Sequence, residues 1–169
     1  MVLANRKNLR LRNYDYSQNG VYYITFCTKN RLPILSTSGS RNGPNAPFPL
    51  FELTEIGKNV EKHISMIPEH YPNMKIDKYV IMPNHVHMLL NIECCAGGGP
   101  RSSRPTMEVP RIIAALKRFT NAACETKLWQ NSYYDHIIRD EEDYLIRWKY
   151  IDDNPAKWLE DEYYTKGNP

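Results

Sequence analysis

YVIMPNHVHMLLNIE, residues 79–93, divides at Pro83-Asn84 into two apolar runs, and the second opens with His85 and His87. Side chains two apart on a strand leave the same face, so the two imidazoles stand side by side within reach of one metal ion. Val86, Met88, Leu89 and Leu90 give this run the apolar content of a central strand, and imidazoles leaving such a strand need partners. Half a chelate and a pair of internally satisfied histidines both fit the pattern. Only a third ligand or a nucleophile elsewhere in the chain separates them.

Working outward, residues 21–28 (VYYITFCT) are dense in β-branched and aromatic side chains and read as a buried strand. Thr54 suits the cap of a helix in which Ile56, Val60, Ile64 and Ile67 recur at three- and four-residue steps, ending before Pro68 and Pro72. Residues 74–82 supply a second strand and 85–93 a third. From 107 to 127, Val109, Ile112, Ile113, Leu116, Phe119 and Ala123 trace a second helical stripe, with Arg111, Lys117 and Arg118 off it. Pro110 is tolerated because it falls in the first turn. Residues 129–139, with Tyr133, Ile137 and Ile138, make a fourth strand.

The order strand, helix, strand, strand, helix, strand is the split βαβ plan, so the expected class is α+β: a ferredoxin-like βαββαβ sandwich on an antiparallel sheet. An additional C-terminal helix is expected over 140–154, with Asp140 to Asp143 at the positive end of its dipole. Tyr144, Trp148 and Ile151 form its packing stripe, and Arg147, Tyr150 and Asn154 share a neighbouring one. A phenol and an amide one turn apart can present a nucleophile and a neutral oxygen ligand to one ion. An ordinary half-buried tyrosine, and an asparagine ending a helix before Pro155, fit the same spacing.

Composition sets the bounds. The 169 residues, 41% hydrophobic and 24% charged, suffice for one core and are read as a single domain, 1–169. The net charge of +3 is unevenly spread. Arg6, Lys7, Arg10, Arg12, Lys29 and Arg31 face a single acid, Asp15, in the first 31 residues, and Arg101, Arg104, Arg111, Lys117 and Arg118 form a second basic group. The acids gather at 140–143, 152–153 and 160–162. A basic surface facing a polyanion and a solvated mixed surface are both compatible with this distribution. Residues 1–19 read as a basic arm, and 37–50 and 94–106 as Gly-, Ser-, Pro- and Arg-rich loops. Cys27, Cys94, Cys95 and Cys124 form no C-x-x-C pair, and no apolar run follows the basic N-terminal residues, so a reduced, cytoplasmic protein without a membrane span is expected.

Four separated motifs, RKNLRLRNYDYSQNGVYYITFCTKNR, YVIMPNHVHMLL, WQNSYYDHIIRDEEDY and WKYIDDNP, occur in an order that resembles the single-tyrosine transposases with an HUH (His-hydrophobic-His) motif, in particular their REP-associated branch. The resemblance spans residues 6–158 apart from the two loops. It implies a ferredoxin-like enzyme that cuts and rejoins single-stranded DNA, often at hairpin-forming ends, through a 5′-phosphotyrosine intermediate. It further implies His85, His87 and Asn154 as ligands of Mg²⁺ or Mn²⁺, with Tyr150 as nucleophile; insertion-sequence relatives often have glutamine where this chain has Asn154. His136 lies in a matching motif and is an accessory candidate, structural or in contact with DNA. Arg6, Arg10, Arg12, Tyr14 and Arg118 are candidate DNA contacts, the arm supplying phosphate partners and stacking surface. Tyr133, Tyr134, Tyr163 and Tyr164 are rival nucleophiles that lack a carboxamide one turn on. A homodimer, with the site completed by the same chain or by another, stays open. So do a replication-initiator-like nickase, a domesticated nucleic-acid-binding module that no longer cleaves, and a zinc hydrolase using Cys94 or Cys95.

Overall fold

The apolar run after Gly20 becomes the strand on which the sheet is assembled. A computed structural model describes residues 20–38, 51–93 and 108–164. Their elements are β1 (Gly20–Cys27), β2 (Ser36–Ser38), β3 (Phe51–Leu53), α1 (Glu55–Ser65), α2 (Ile67–His70), β4 (Met74–Ile81), β5 (His85–Ile92), α3 (Glu108–Ala123), β6 (Tyr134–Ile137) and α4 (Glu141–Asp153). The main sheet has the order β4-β5-β1-β6 with antiparallel neighbours throughout, the ferredoxin-like arrangement. The expectations placed on the arm (Arg6, Arg10, Arg12, Tyr14), on most of the 37–50 loop and on 94–106 with Cys94 and Cys95 lie outside the described residues.

Strand alternation divides the sheet into two faces. Tyr22, Ile24 and Phe26 of β1 and Val86, Met88, Leu90 and Ile92 of β5 join Val60 and Ile64 of α1 and Ile112, Ile113 and Leu116 of α3 in the main core. Each such side chain contributes about 1.5–3 kcal/mol on burial. Tyr23 and Leu89 point to the other face and pack with Ile151, Tyr144 and Trp148 of α4. Because helices cover both faces, β1 and β5 are apolar without alternation. A register shift between Ile76 and Lys78 marks a bulge in β4. There Asp77 accepts from the Tyr144 hydroxyl at 3.3 Å, and the Lys78 ammonium lies 4.2 Å from the Trp148 ring while pairing with Asp152. These contacts fasten α4 across the sheet and hold Tyr150 over β5.

Several local expectations change in the fold. Helix formation does not stop at Pro68: α2 restarts with that proline in its first turn, where no amide donor is needed. The expected loop after residue 36 begins as β2, paired with β3 in a small second sheet. The strand expected over 129–139 is limited to β6, with Trp129 making one isolated bridge to Thr28. Trp129 packs instead against Phe26, ring centroids 4.8 Å apart, and donates its indole N–H to Thr120 Oγ1 at 2.7 Å. Within α3 two residues exchange their expected settings. Lys117 is buried and donates to the carbonyls of Gln130 and Ser132 at 2.9 and 2.8 Å, its pKa pushed down to about 8 by burial. Phe119 is exposed, between the His63 ring and the Arg118 guanidinium. Among the described residues no helix is long and apolar enough to cross a membrane.

Candidate metal centre and nucleophile

His85 opens β5 directly after the Pro83-Asn84 turn, and His87 follows on the same face, so their ring centroids are 4.5 Å apart. Each ring is fixed through Nδ1. Asn84 donates its amide N–H groups to the carbonyls of Arg31 and Tyr163, at 3.2 and 2.8 Å. Its Oδ1 therefore faces His85 Nδ1 as an acceptor, at 2.8 Å. That selects the tautomer with hydrogen on Nδ1 and leaves Nε2 bare. His87 Nδ1 lies 2.8 Å from the Tyr23 hydroxyl and 2.7 Å from Thr25 Oγ1, both on the facing strand β1.

Asn154, the C-cap of α4, keeps helical dihedrals (φ −57°, ψ −44°) despite the proline that follows it. Its Nδ2 donates to Asp161 Oδ2 at 2.8 Å. A carboxylate only accepts, so the amide is oriented with Oδ1 turned away from Asp161. His85 Nε2, His87 Nε2 and Asn154 Oδ1 are all buried polar atoms without a hydrogen-bond partner. Leaving one such atom unsatisfied costs about 1–3 kcal/mol, and three together fit a divalent cation better than an empty interior. The ligating atoms of His85, His87 and Asp161 lie within 4.8 Å of one another. Two imidazoles, a carboxamide and a carboxylate are a donor set suited to a first-row divalent ion.

Tyr150, one turn before Asn154, stands beside this cluster: its ring centroid is 5.3 Å from His87 and 6.2 Å from Tyr23, edge to face in both cases. The phenol is 38% exposed and its oxygen lies 3.5 Å from Asp161 Oδ2. Burial first, then the charges of Asp161 and Glu162, push its pKa up to about 12. Tyr150, His85, His87 and Asn154 thus meet within one chain. His136 does not join the cluster; on β6 opposite Tyr23, it bonds through Nε2 to Asp143 Oδ2 at 2.7 Å, and Asp143 also holds Arg147. Arg118 lies on α3, on the sheet face opposite these four residues. The Tyr163 ring lies tilted against His85, centroids 4.7 Å apart, so it sits at the site although in sequence it ranked with Tyr133, Tyr134 and Tyr164. Sequence reading missed Asp161, which appears there only as part of an acidic run. It also missed Asn84, Tyr23 and Thr25, whose supporting roles depend on strand register.

Burial lowers the pKa of His85 to about 4, against partial opposition from Asp161 and Asn154, and lowers that of His87 well below 6.5, with His85 adding to the effect. Both folded values lie below the unfolded one, so the unfolded chain binds more protons in this window. Stability is then fully present above about pH 6.5 and is lost as the pH falls toward 4, by up to about 1.4 kcal/mol per pH unit and histidine. In chelator, the unfolding temperature should fall between pH 7 and pH 5; a flat profile there would contradict the buried neutral state of both rings.

The fold and this site define a class: ferredoxin-like proteins with a His-hydrophobic-His pair on a central strand, facing a tyrosine on a closing helix. No family model matches the chain. An uncharacterized protein of Haemophilus influenzae is 30% identical over 179 residues, covering 96% of this chain and 95% of that protein. A putative REP-associated tyrosine transposase of the same organism is 21% identical over 154 residues, covering 87% and 77%. Among solved structures, a REP-associated tyrosine transposase bound to a REP hairpin has the same fold, with a TM-score of 0.61 at 20% identity, covering 88% of this chain and 73% of that one. The chain thus shares the fold of that REP-associated tyrosine transposase and is distantly similar in sequence to a second protein so described.

Proposed function

We propose that this protein is a cytoplasmic, metal-dependent single-stranded DNA endonuclease and strand transferase, with single-stranded or hairpin DNA as substrate and Mg²⁺ or Mn²⁺ as cofactor. One observation carries the reading: buried polar atoms of His85, His87 and Asn154 without a hydrogen-bond partner converge beside the Tyr150 phenol. His85, His87 and Asn154 would hold the cation. A divalent ion there supplies Lewis-acid polarisation of a phosphodiester and counter-charge for its transition state.

Tyr150 Oη forms the new bond to phosphorus, the bond to the 3′-oxygen breaks, the phenol proton is released and the leaving oxygen takes up a proton as a 3′-hydroxyl. The phosphodiester's energy is kept in the 5′-phosphotyrosine, so another strand's 3′-hydroxyl can reverse the step without ATP. A phenol with a pKa near 12 is a poor nucleophile at neutral pH, so the chain must bring the phosphate to a fixed position against it. The buried stripe of α4 provides that rigidity, and the His136–Asp143–Arg147 network braces Tyr23, behind His87. Arg6, Arg10, Arg12 and Tyr14 supply strand contacts, and Arg118 an outlying phosphate contact.

The test is a hairpin-bearing strand labelled on the side 3′ to the scissile phosphate, incubated with protein and Mg²⁺ or Mn²⁺. A covalent protein–DNA species that survives denaturation should form with either ion and be absent in excess EDTA. Retarded mobility with no covalent species under any divalent ion would overturn the reading in favour of a non-cleaving binding module.

A further inference from the structure

Asp161 belongs to no part of the motif that suggested the site, yet its carboxylate reaches four members of it. It accepts from Asn154 at 2.8 Å, faces the Tyr150 hydroxyl at 3.5 Å and completes a ligand-sized group with His85 and His87. The segment carrying it is anchored. The Tyr163 amide donates to Asp161 Oδ1 at 2.7 Å, the Tyr163 carbonyl accepts from Asn84, and the Glu162 carbonyl accepts from Arg31 at 3.1 Å. Asp161 is therefore held to the same turn that holds His85.

Its surroundings make a bare carboxylate unfavourable for the proposed reaction. Asp153, Glu160, Asp161 and Glu162 line an open cleft of about 380 Å³ beside Tyr150 and Asn154, with Lys157 as the only cation among the lining residues. A phosphodiester entering this cleft meets four negative side chains, and like charges repel it. A divalent ion bound by Asp161 would offset part of that negative charge beside Tyr150.

We infer that Asp161 is a fourth protein ligand of the cation, and that it also orients the Asn154 carboxamide so that Oδ1 faces the metal. The inference deepens the proposed function and rests on it for the presence of a cation. Each carboxylate oxygen has two lone pairs, so Oδ2 can keep the Asn154 hydrogen bond and ligate with the second. The ligating atoms of His85, His87 and Asp161 already lie within 4.8 Å of one another, the spacing of a group that could close on one ion.

The experiment is calorimetric titration of DNA-free protein with Mn²⁺, which reads cation affinity without any cleavage. Asp161→Asn, which keeps the shape and loses the charge, should weaken binding roughly 10- to 100-fold, and Asp161→Glu should recover part of it. Circular dichroism in chelator checks that each variant is folded. An Asp161→Asn affinity within twofold of the parent, while His87→Ala abolishes binding, would overturn the ligand role and leave the proposed function standing. Unchanged affinity with faster adduct formation would do the same and show that the carboxylate competes with the phosphate. A folded parent protein that binds no Mn²⁺ at all would remove the proposed function together with this inference.

Discussion

Tyr150→Phe should leave the protein folded and able to bind its DNA, and should lower formation of the covalent adduct by at least about three orders of magnitude. The size of the effect follows from the chemistry. In the proposed reaction the phenol oxygen forms the new bond to phosphorus, so its removal would take away the step itself and not an interaction that assists it. The fold should tolerate the change, because the hydroxyl makes one long contact at the edge of the site and the ring stays edge-on to His87 and Tyr23. Tyr163 is the control, since its ring lies 4.7 Å from His85. Tyr163→Phe should retain adduct formation within about tenfold. Adduct persisting in Tyr150→Phe and vanishing in Tyr163→Phe would move the nucleophile from the closing helix to the tail.

The second large effect concerns stability and has the opposite sign to what helix propensity suggests. A glycine inside a helix is about 1 kcal/mol worse than alanine, and Gly→Ala at a compatible site stabilises by about 0.4–1 kcal/mol. At Gly57, however, an added Cβ would come within 1.9 Å of the Leu35 carbonyl oxygen and 3.2 Å of the Leu53 side chain. The carbonyl cannot retreat easily. Leu35 O accepts from the Thr54 amide and hydroxyl at 3.0 and 3.1 Å, while Leu35 N donates to Pro83 O at 2.9 Å. Gly57→Ala should therefore cost about 3–5 kcal/mol, a large share of the ~5–15 kcal/mol of a typical domain, and lower the unfolding temperature by roughly 10 °C or more. Strain passed through Leu35 to Pro83 also disturbs the turn before His85, so cation affinity should fall in the folded fraction. An unchanged or raised unfolding temperature would refute the close approach.

These two positions illustrate how differently the sequence exposes its contents. Tyr150 was readable because helical spacing places it one turn from Asn154 and because its motif matched a family. Gly57 was not, since the atom it must avoid belongs to residue 35, and no local pattern encodes that approach. The histidine pair was legible as two side chains on one strand face, but the meaning of the pair was not. Whether the Nε2 atoms are satisfied depends on Asn84, Tyr23 and Thr25, brought together by strand register and the turn. Lys117 and Phe119 exchanged their expected settings because a stripe states which residues are apolar, whereas the 128–133 segment determines which positions are covered.

By itself the amino-acid order determined the six elements of the βαββαβ plan, the closing helix and the pairing of His85 with His87, though not β2, β3 or α2, because each of the former follows from periodicity, capping or turn chemistry within a single element. Only the tertiary structure decided that Tyr150, Asn154 and Asp161 converge on those rings. That convergence depends on α4 crossing the second face of the sheet, held by the Asp77 bulge and the Lys78–Trp148 contact, and on a tail segment tied back to Asn84. Contacts between residues 60 to 80 positions apart form only when burial of both sheet faces repays the entropy of closing such long loops.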